Sequence, residues 1–225
     1  MTIIVFGSIN MDLVARVPRL PAPGETLRGS DFFTAPGGKG ANQAAACARL
    51  GTPTYMVGRV GEDAFGSSLR ASLEESGVDV SLVTVTPSPS GVALIQVDSD
   101  GENSIVIIPG ANGQIGPEDR TRLEAALPGA DSLLLQLEIP LEAVTAAARM
   151  ARSRGVRVIL DPLANSQATR FQDLIRRHHR ESADRILEAV FQDLARHTRG
   201  VRTEDDITLV VVKITRDGGR PAGGG

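Results

Sequence analysis

Read for apolar runs, the chain opens on Thr2-Ile3-Ile4-Val5-Phe6, a continuous β-branched and aromatic stretch that ends at Gly7-Ser8. An uninterrupted run of that length predicts a central strand buried on both faces. Asn10 and Asp12 follow, with Met11 between them. In an extended chain both polar side chains point the same way. They are either residues lining a crevice at the carboxyl end of a strand or a solvated turn after one. Leu13 to Val17 and Thr26 to Phe33 read as short strands, separated by a loop stiffened by Pro18, Pro21 and Pro23. The alanine-rich run Ala44 to Leu50 predicts a helix that ends at Gly51. Thr54 to Val60 predicts a second buried strand. A helix follows from Ala64 to Ser76, with Asp63 as its N-cap and Leu69 and Leu73 on one face. Val78 to Val85 is strand-like. Gly91 to Val97 and Ser104 to Ile108 flank Asp100-Gly101, a hairpin signature.

A regular rhythm then sets in. Helix Pro117 to Ala126, strand Ser132 to Gln136, helix Leu141 to Arg154 and strand Val156 to Leu160 alternate. Alternation of this kind predicts an α/β fold with a parallel sheet flanked by helices. The hairpin and short-strand pieces, about 12–33 and 78–108, break the rhythm. They predict a small antiparallel sheet lying over the crevice as a lid. Glu138 stands just past a strand, again at a carboxyl end.

The richest chemistry lies in Pro36-Gly37-Gly38-Lys39-Gly40-Ala41-Asn42-Gln43. Three glycines in four residues allow a sharp turn and close approach of a ligand to the backbone. The stretch offers helix-start N–H groups, the Lys39 ammonium and the Asn42 carboxamide at one place, which suits a hydroxyl-rich or anionic ligand. It is not a phosphate-binding Walker loop. Phe33 stands where that motif needs its first glycine and Gly40 where it needs Ser or Thr.

Composition narrows the picture. The 225 residues suffice for one large or two small domains, and the 41% hydrophobic and 23% charged content is ordinary for a soluble protein. A net charge of −3 gives no case for nucleic acid or an anionic membrane as partner. Aromatic residues make up 3% with no Trp, which argues against stacking platforms for bases. No apolar run is long enough to span a bilayer. The single Cys47 cannot form an internal disulfide and fits a reducing, cytoplasmic setting. It reads as a small apolar residue on the alanine-rich helix rather than a reactive thiol.

From about Asn165 the texture changes. Arg176-Arg177-His178-His179-Arg180 is a basic cluster, read as a solvated face. Ser182 to Arg196 predicts an amphipathic helix and Ile207 to Ile214 an apolar strand. The glycine-rich tail, 217–225, is expected to be disordered. His178, His179 and His197 lack the paired Cys or carboxylate spacing of a metal site.

Residues 1–164 resemble the N-terminal part of the ribokinase-like carbohydrate kinase family. The resemblance rests on Gly7-Ser8-Ile9-Asn10-Met11-Asp12, Pro23-Gly24-Glu25-Thr26, Gly37 to Gln43, Gly58 to Gly66 and Ser90-Gly91-Val92-Ala93. Gly110-Ala111-Asn112, Gln136-Leu137-Glu138 and Asp161-Pro162 complete it, in the family's order. It implies a sugar kinase using ATP and Mg2+ on ribose or a similar sugar. It further implies Asn10, Asp12, Gly38, Lys39, Asn42 and Glu138 as contacts to the sugar hydroxyls, and a homodimer built through the lid. The chain departs from the family in one respect. No Gly-Ala-Gly-Asp loop, which carries the general base and the phosphate cradle, is present in the sequence, and no Asn-x-x-Glu segment follows Pro162. Loss of a general base alone costs about 10²–10⁴-fold. The expectation is therefore a fold truncated at the ATP-binding half, with impaired or absent turnover. One alternative is a non-catalytic truncated or fused protein that keeps a sugar half-site or only the fold; a weaker one is a phosphatase-related fragment.

Residues 165–216 instead resemble the end of a bacterial metal-dependent serine phosphatase of the sporulation and stress-response type, through Phe171 to Ile175 and Glu204-Asp205-Asp206-Ile207-Thr208. That resemblance implies Asp205 as a metal ligand. One carboxylate does not make a Mg2+ or Mn2+ site, so two acidic residues before a strand is the plainer reading.

Overall fold

A computed structural model describes residues 1–161. The expectations for Asp205, the helix 182–196, the strand 207–214, the three histidines and the tail lie outside these residues.

The main sheet is parallel. It holds β1 (Ile3–Phe6), β4 (Thr54–Gly61), β5 (Val83–Thr86), β8 (Ser132–Gln136) and β9 (Arg157–Asp161), in the order β5-β4-β1-β8-β9. β1 lies at the centre, paired with β4 on one side and β8 on the other. Its four residues are all buried, and the two-residue period divides them between two cores. Ile4 and Phe6 join Leu123, Leu133, Leu135, Val144 and Ala147 under α3 (Pro117–Ala126) and α4 (Leu141–Ser153). Ile3 and Val5 join Ala44, Met56, Leu69 and Leu73 under α1 (Lys39–Arg49) and α2 (Ala64–Glu75). A strand covered on both faces cannot alternate with polar residues, which accounts for the continuous apolar runs of the sequence.

A second, four-stranded sheet holds β2 (Asn10–Arg16), β3 (Asp31–Gly37), β6 (Gly91–Val97) and β7 (Asn103–Ile108), in the order β3-β2-β6-β7. The expected small sheet is thus present. Its β2–β3 and β6–β7 pairings are antiparallel, while β2 and β6 run parallel in the middle. Its edges are exposed and apolar, with Phe32 63% and Val106 57% accessible.

Four elements differ from the sequence expectation. α1 begins at Lys39, five residues before the alanine run, with Gly38 as its N-cap at φ 90°. Gly40, expected in the turn before the helix, lies inside it, where the helix packs against the end of β1. A Cβ there would stand 2.7 Å from both Ser8 N and Ser8 O. The expected strand 26–33 lies instead at 31–37, at the edge of its sheet, where Pro36 costs no ladder bond. The strand expected at 78–85 contracts to β5, which pairs with β4 in the parallel sheet rather than joining the lid. Asn10 and Asp12 do not follow a strand as a turn; they are the first and third residues of β2.

Candidate functional site

The carboxyl ends of β1, β8 and β9 meet the start of α1. Just past β1, Ser8 is fully buried, and its backbone and side chain hold the helix start. Ala41 N donates to Ser8 O at 2.9 Å, and Gly40 N donates to Ser8 Oγ at 3.3 Å. Ser8 Oγ in turn donates to Glu138 Oε2 at 2.5 Å, and Lys39 N donates to the same oxygen at 3.0 Å. Three of the four N–H groups that a helix leaves unpaired at its start are therefore used internally. The expectation that the loop offers them to a ligand is corrected: two are taken up by Ser8 and one by the Glu138 carboxylate, which lies at the positive end of the helix dipole.

β2 leaves this point at once. Asn10 is buried, and Asp12 is half-buried two residues on, on the same face of the strand. The pairing of β2 with β3 sets Asn10 opposite Gly37 and Asp12 opposite Ala35. A Cβ at Gly37 would lie 2.2 Å from Asp12 Oδ2, and one at Gly38 would lie 2.7 Å from Asn10 N. Both glycines thus leave room for β2 and its carboxylate.

On the other side, Lys39 Nζ stands 4.0 Å from Asp161 Oδ2 at the end of β9, with both side chains largely buried. Gln43 Nε2 donates to the same Asp161 oxygen at 3.2 Å, and Gln136 Nε2 donates to Gln43 Oε1 at 2.7 Å. This chain of bonds ties α1 to β8 and β9.

Of the six residues expected at the site, Asn10, Asp12, Gly38, Lys39 and Glu138 converge around Ser8 and the first turn of α1. Asn42 lies one turn along and is exposed. Sequence reasoning assigned no role to Ser8, Gln43, Gly91, Asn112, Gln136 or Asp161. All six stood inside the quoted motifs, so the signal was present. What was missing was the fold that joins those motifs. Asn112 lies on a 3-10 turn, Gly110–Gln114, and makes three buried hydrogen bonds to Ile9 and Asn10.

Among the described residues no group of three or more His, Cys, Asp or Glu side chains is placed to hold a metal ion.

Central β1 with helices on both faces and a second sheet continuing from its carboxyl end through β2 define a two-sheet α/β architecture. The sequence pattern of the pfkB family carbohydrate kinases matches residues 2–179, and the chain belongs to that family. The match runs past residue 164, into the stretch that resembled a phosphatase.

Among curated proteins, the chain is 43% identical over 162 residues to ribokinase from Haemophilus influenzae, covering 72% of this chain and 53% of that one. It is 42% identical over 161 residues to ribokinase from Bacillus subtilis, covering 71% and 55%. The chain thus spans about half the length of these relatives. The solved structure of Arabidopsis thaliana ribokinase complexed with ribose and ATP is similar, with a TM-score of 0.65 at 35% identity, covering 86% of this chain and 68% of that one. Ribokinase from Thermotoga maritima gives a TM-score of 0.65 at 30% identity, with 84% and 68% covered.

Proposed function

We propose that the described residues form the sugar side of a ribokinase-like kinase and that ribose or a similar pentose lies between Asn10, Asp12, Gly38, Lys39, Asn42 and Glu138. The observation that carries this reading is the convergence of the Asp12 and Glu138 carboxylates with Asn10 and Lys39 at the start of α1. Sugar hydroxyls both donate and accept. An ionised carboxylate only accepts, and an ammonium only donates. Asp12 accepts hydrogen bonds from two hydroxyls. Glu138 uses Oε2 for Ser8 and the helix, which leaves Oε1 for a ligand. Lys39 and the Asn42 amide donate. Relatives named ribokinase, one of them solved with ribose and ATP, support the choice of sugar.

ATP and Mg2+ are the family's partners for the transfer, and ATP supplies the phosphoryl group when bound. Impaired or absent turnover by this chain, with sugar binding retained at the residues named, is part of the same proposal. The exposed apolar strands β3 and β7 support a homodimer through the small sheet. The lone Cys47, partly buried with its thiol pKa pushed up by burial, suits a reducing cytoplasm.

One experiment separates the readings. The purified chain is incubated with ribose, ATP and Mg2+ while ADP release is followed, beside a calorimetric ribose titration. Ribose binding without turnover, lost on Asp12→Ala, supports the half-site. Ordinary kinase turnover overturns the impairment. No binding overturns the sugar site and leaves only the fold.

A further inference from the structure

Asn112 lies 102 residues from Asn10 in the sequence, yet their side chains are bonded. Asn112 Oδ1 accepts from Ile9 N at 3.0 Å, and its Nδ2 donates to Ile9 O at 3.0 Å. A backbone N–H only donates and a carbonyl only accepts, so these two contacts leave a single orientation for the Asn112 amide. Its second Nδ2 proton goes to Asn10, at 2.7 Å. The Asn10 atom facing it must be an acceptor, and is therefore Oδ1. The fixed polarity of the main chain at Ile9 is passed through Asn112 to Asn10. That leaves Asn10 Nδ2, with two protons, as the end available to a ligand.

The surroundings keep the relay in place. Asn10 pairs with Gly91 across the parallel β2–β6 ladder. A Cβ at Gly91 would lie 2.2 Å from Asn112 Nδ2 and 2.3 Å from Asn10 Oδ1. Any side chain there would displace the bond. Asn112 and Asn10 are 1% and 2% accessible, so water does not compete for it.

We propose that Asn112 is a positioning residue that presents Asn10 to the bound sugar as a hydrogen-bond donor. The proposal rests on the sugar-site reading above. Asn10 cannot turn its amide to suit a ligand, because a reversed amide would set two N–H groups against each other in a buried place. The site therefore selects an acceptor oxygen at Asn10. The carboxylates of Asp12 and Glu138 select donors.

The test has two arms. In the 15N-labelled chain, hydrogen exchange of the two side-chain NH2 groups is followed by NMR without ligand. The relay requires the Asn112 protons, both bonded, to exchange more slowly than those of Asn10. The reverse order overturns it. In the second arm, ribose is titrated calorimetrically into the chain and its Asn112→Asp, Asn10→Ala and doubly substituted variants. Asp keeps the acceptor for Ile9 and removes the donor, so Asn10 reverses. Ribose affinity then falls about tenfold or more. In the Asn10→Ala background the same substitution leaves affinity unchanged, which a general loss of structure would not do. An equal loss in both backgrounds overturns the positioning role. If the unsubstituted chain binds no ribose, the sugar-site reading fails and the ligand role with it. The exchange order still decides the relay, also where Asn112→Asp does not fold.

Discussion

Gly37 lies directly beneath the Asp12 carboxylate: a Cβ at position 37 would stand 2.2 Å from Oδ2 and 2.5 Å from Cγ. Gly37 does not have a positive φ, so alanine fits its backbone. Gly37→Ala is therefore expected to move the Asp12 side chain without breaking β3. A hydrogen bond to a charged group contributes about 1.5–3 kcal/mol. Ribose affinity should fall by about one to two orders of magnitude, while the thermal midpoint changes little. Unchanged affinity in calorimetry would separate Asp12 from the ligand.

Gly40→Ala acts differently. The new Cβ meets backbone atoms of Ser8 at 2.7 Å, and backbone cannot rotate aside as a side chain can. Overpacking of this kind costs about 1–3 kcal/mol. Urea unfolding should show a lower midpoint with an unchanged slope. A midpoint equal to that of the unsubstituted chain would contradict the close contact of α1 and β1.

Asp63 joins the two sheets. It caps α2 through Gly66 N at 2.7 Å and also accepts from Ser90 N at 2.8 Å and Ser90 Oγ at 2.7 Å, just before β6. Asp63→Ala should cost about 0.5–2 kcal/mol, the usual range for a lost N-cap. Burial pushes the Asp63 carboxyl up, but the bonds from Ser90, Gly66 and Phe65 outweigh it and hold the pKa below the usual 3.8. The folded value is depressed, so this stabilisation is fully present above the unfolded pKa and is lost as pH falls through the folded one. The stability gap between the two proteins should narrow once the pH drops below 3.8. A gap that is constant down to acid unfolding would contradict the capping role.

Arg19 and Glu25 close the proline-rich loop between β2 and β3 through a two-pronged ion pair, and Ala22 N donates to Glu25 at 3.0 Å. The hydrogen bond from Arg19 comes first among the causes that lower the Glu25 carboxyl from 4.5 to about 2. Whatever the pair adds to loop order is present above 4.5 and lost as pH falls through about 2. Carboxyl 13C titration should give a midpoint near 2, returning toward 4.5 in Arg19→Ala. A midpoint that does not respond to this substitution would exclude the ion pair as the cause.

Much of the fold was legible from local pattern. Strands β1, β4 and β8 are largely apolar runs because both faces are covered. Helices α2, α3 and α4 carry regular stripes or caps, and Asp63 is the N-cap that its place before Ala64 predicts. The misreadings fall where a local rule met a tertiary contact. Gly40 belongs inside α1 because Ser8 presses against it. Pro36 belongs inside β3 because that strand is an edge.

By itself, the sequence determined the βαβ order, the small second sheet, and the family to which Asn10, Asp12, Gly38, Lys39 and Glu138 point. Periodicity and glycine placement are local properties, and they survive without coordinates. Only the tertiary structure decided that the helix-start N–H groups serve Ser8 and Glu138 rather than a ligand. It alone joined Asn112 to Asn10 across 102 residues. Hydrogen-bond partners between distant segments depend on how strands align, and no spacing along the chain encodes which way a buried amide must face.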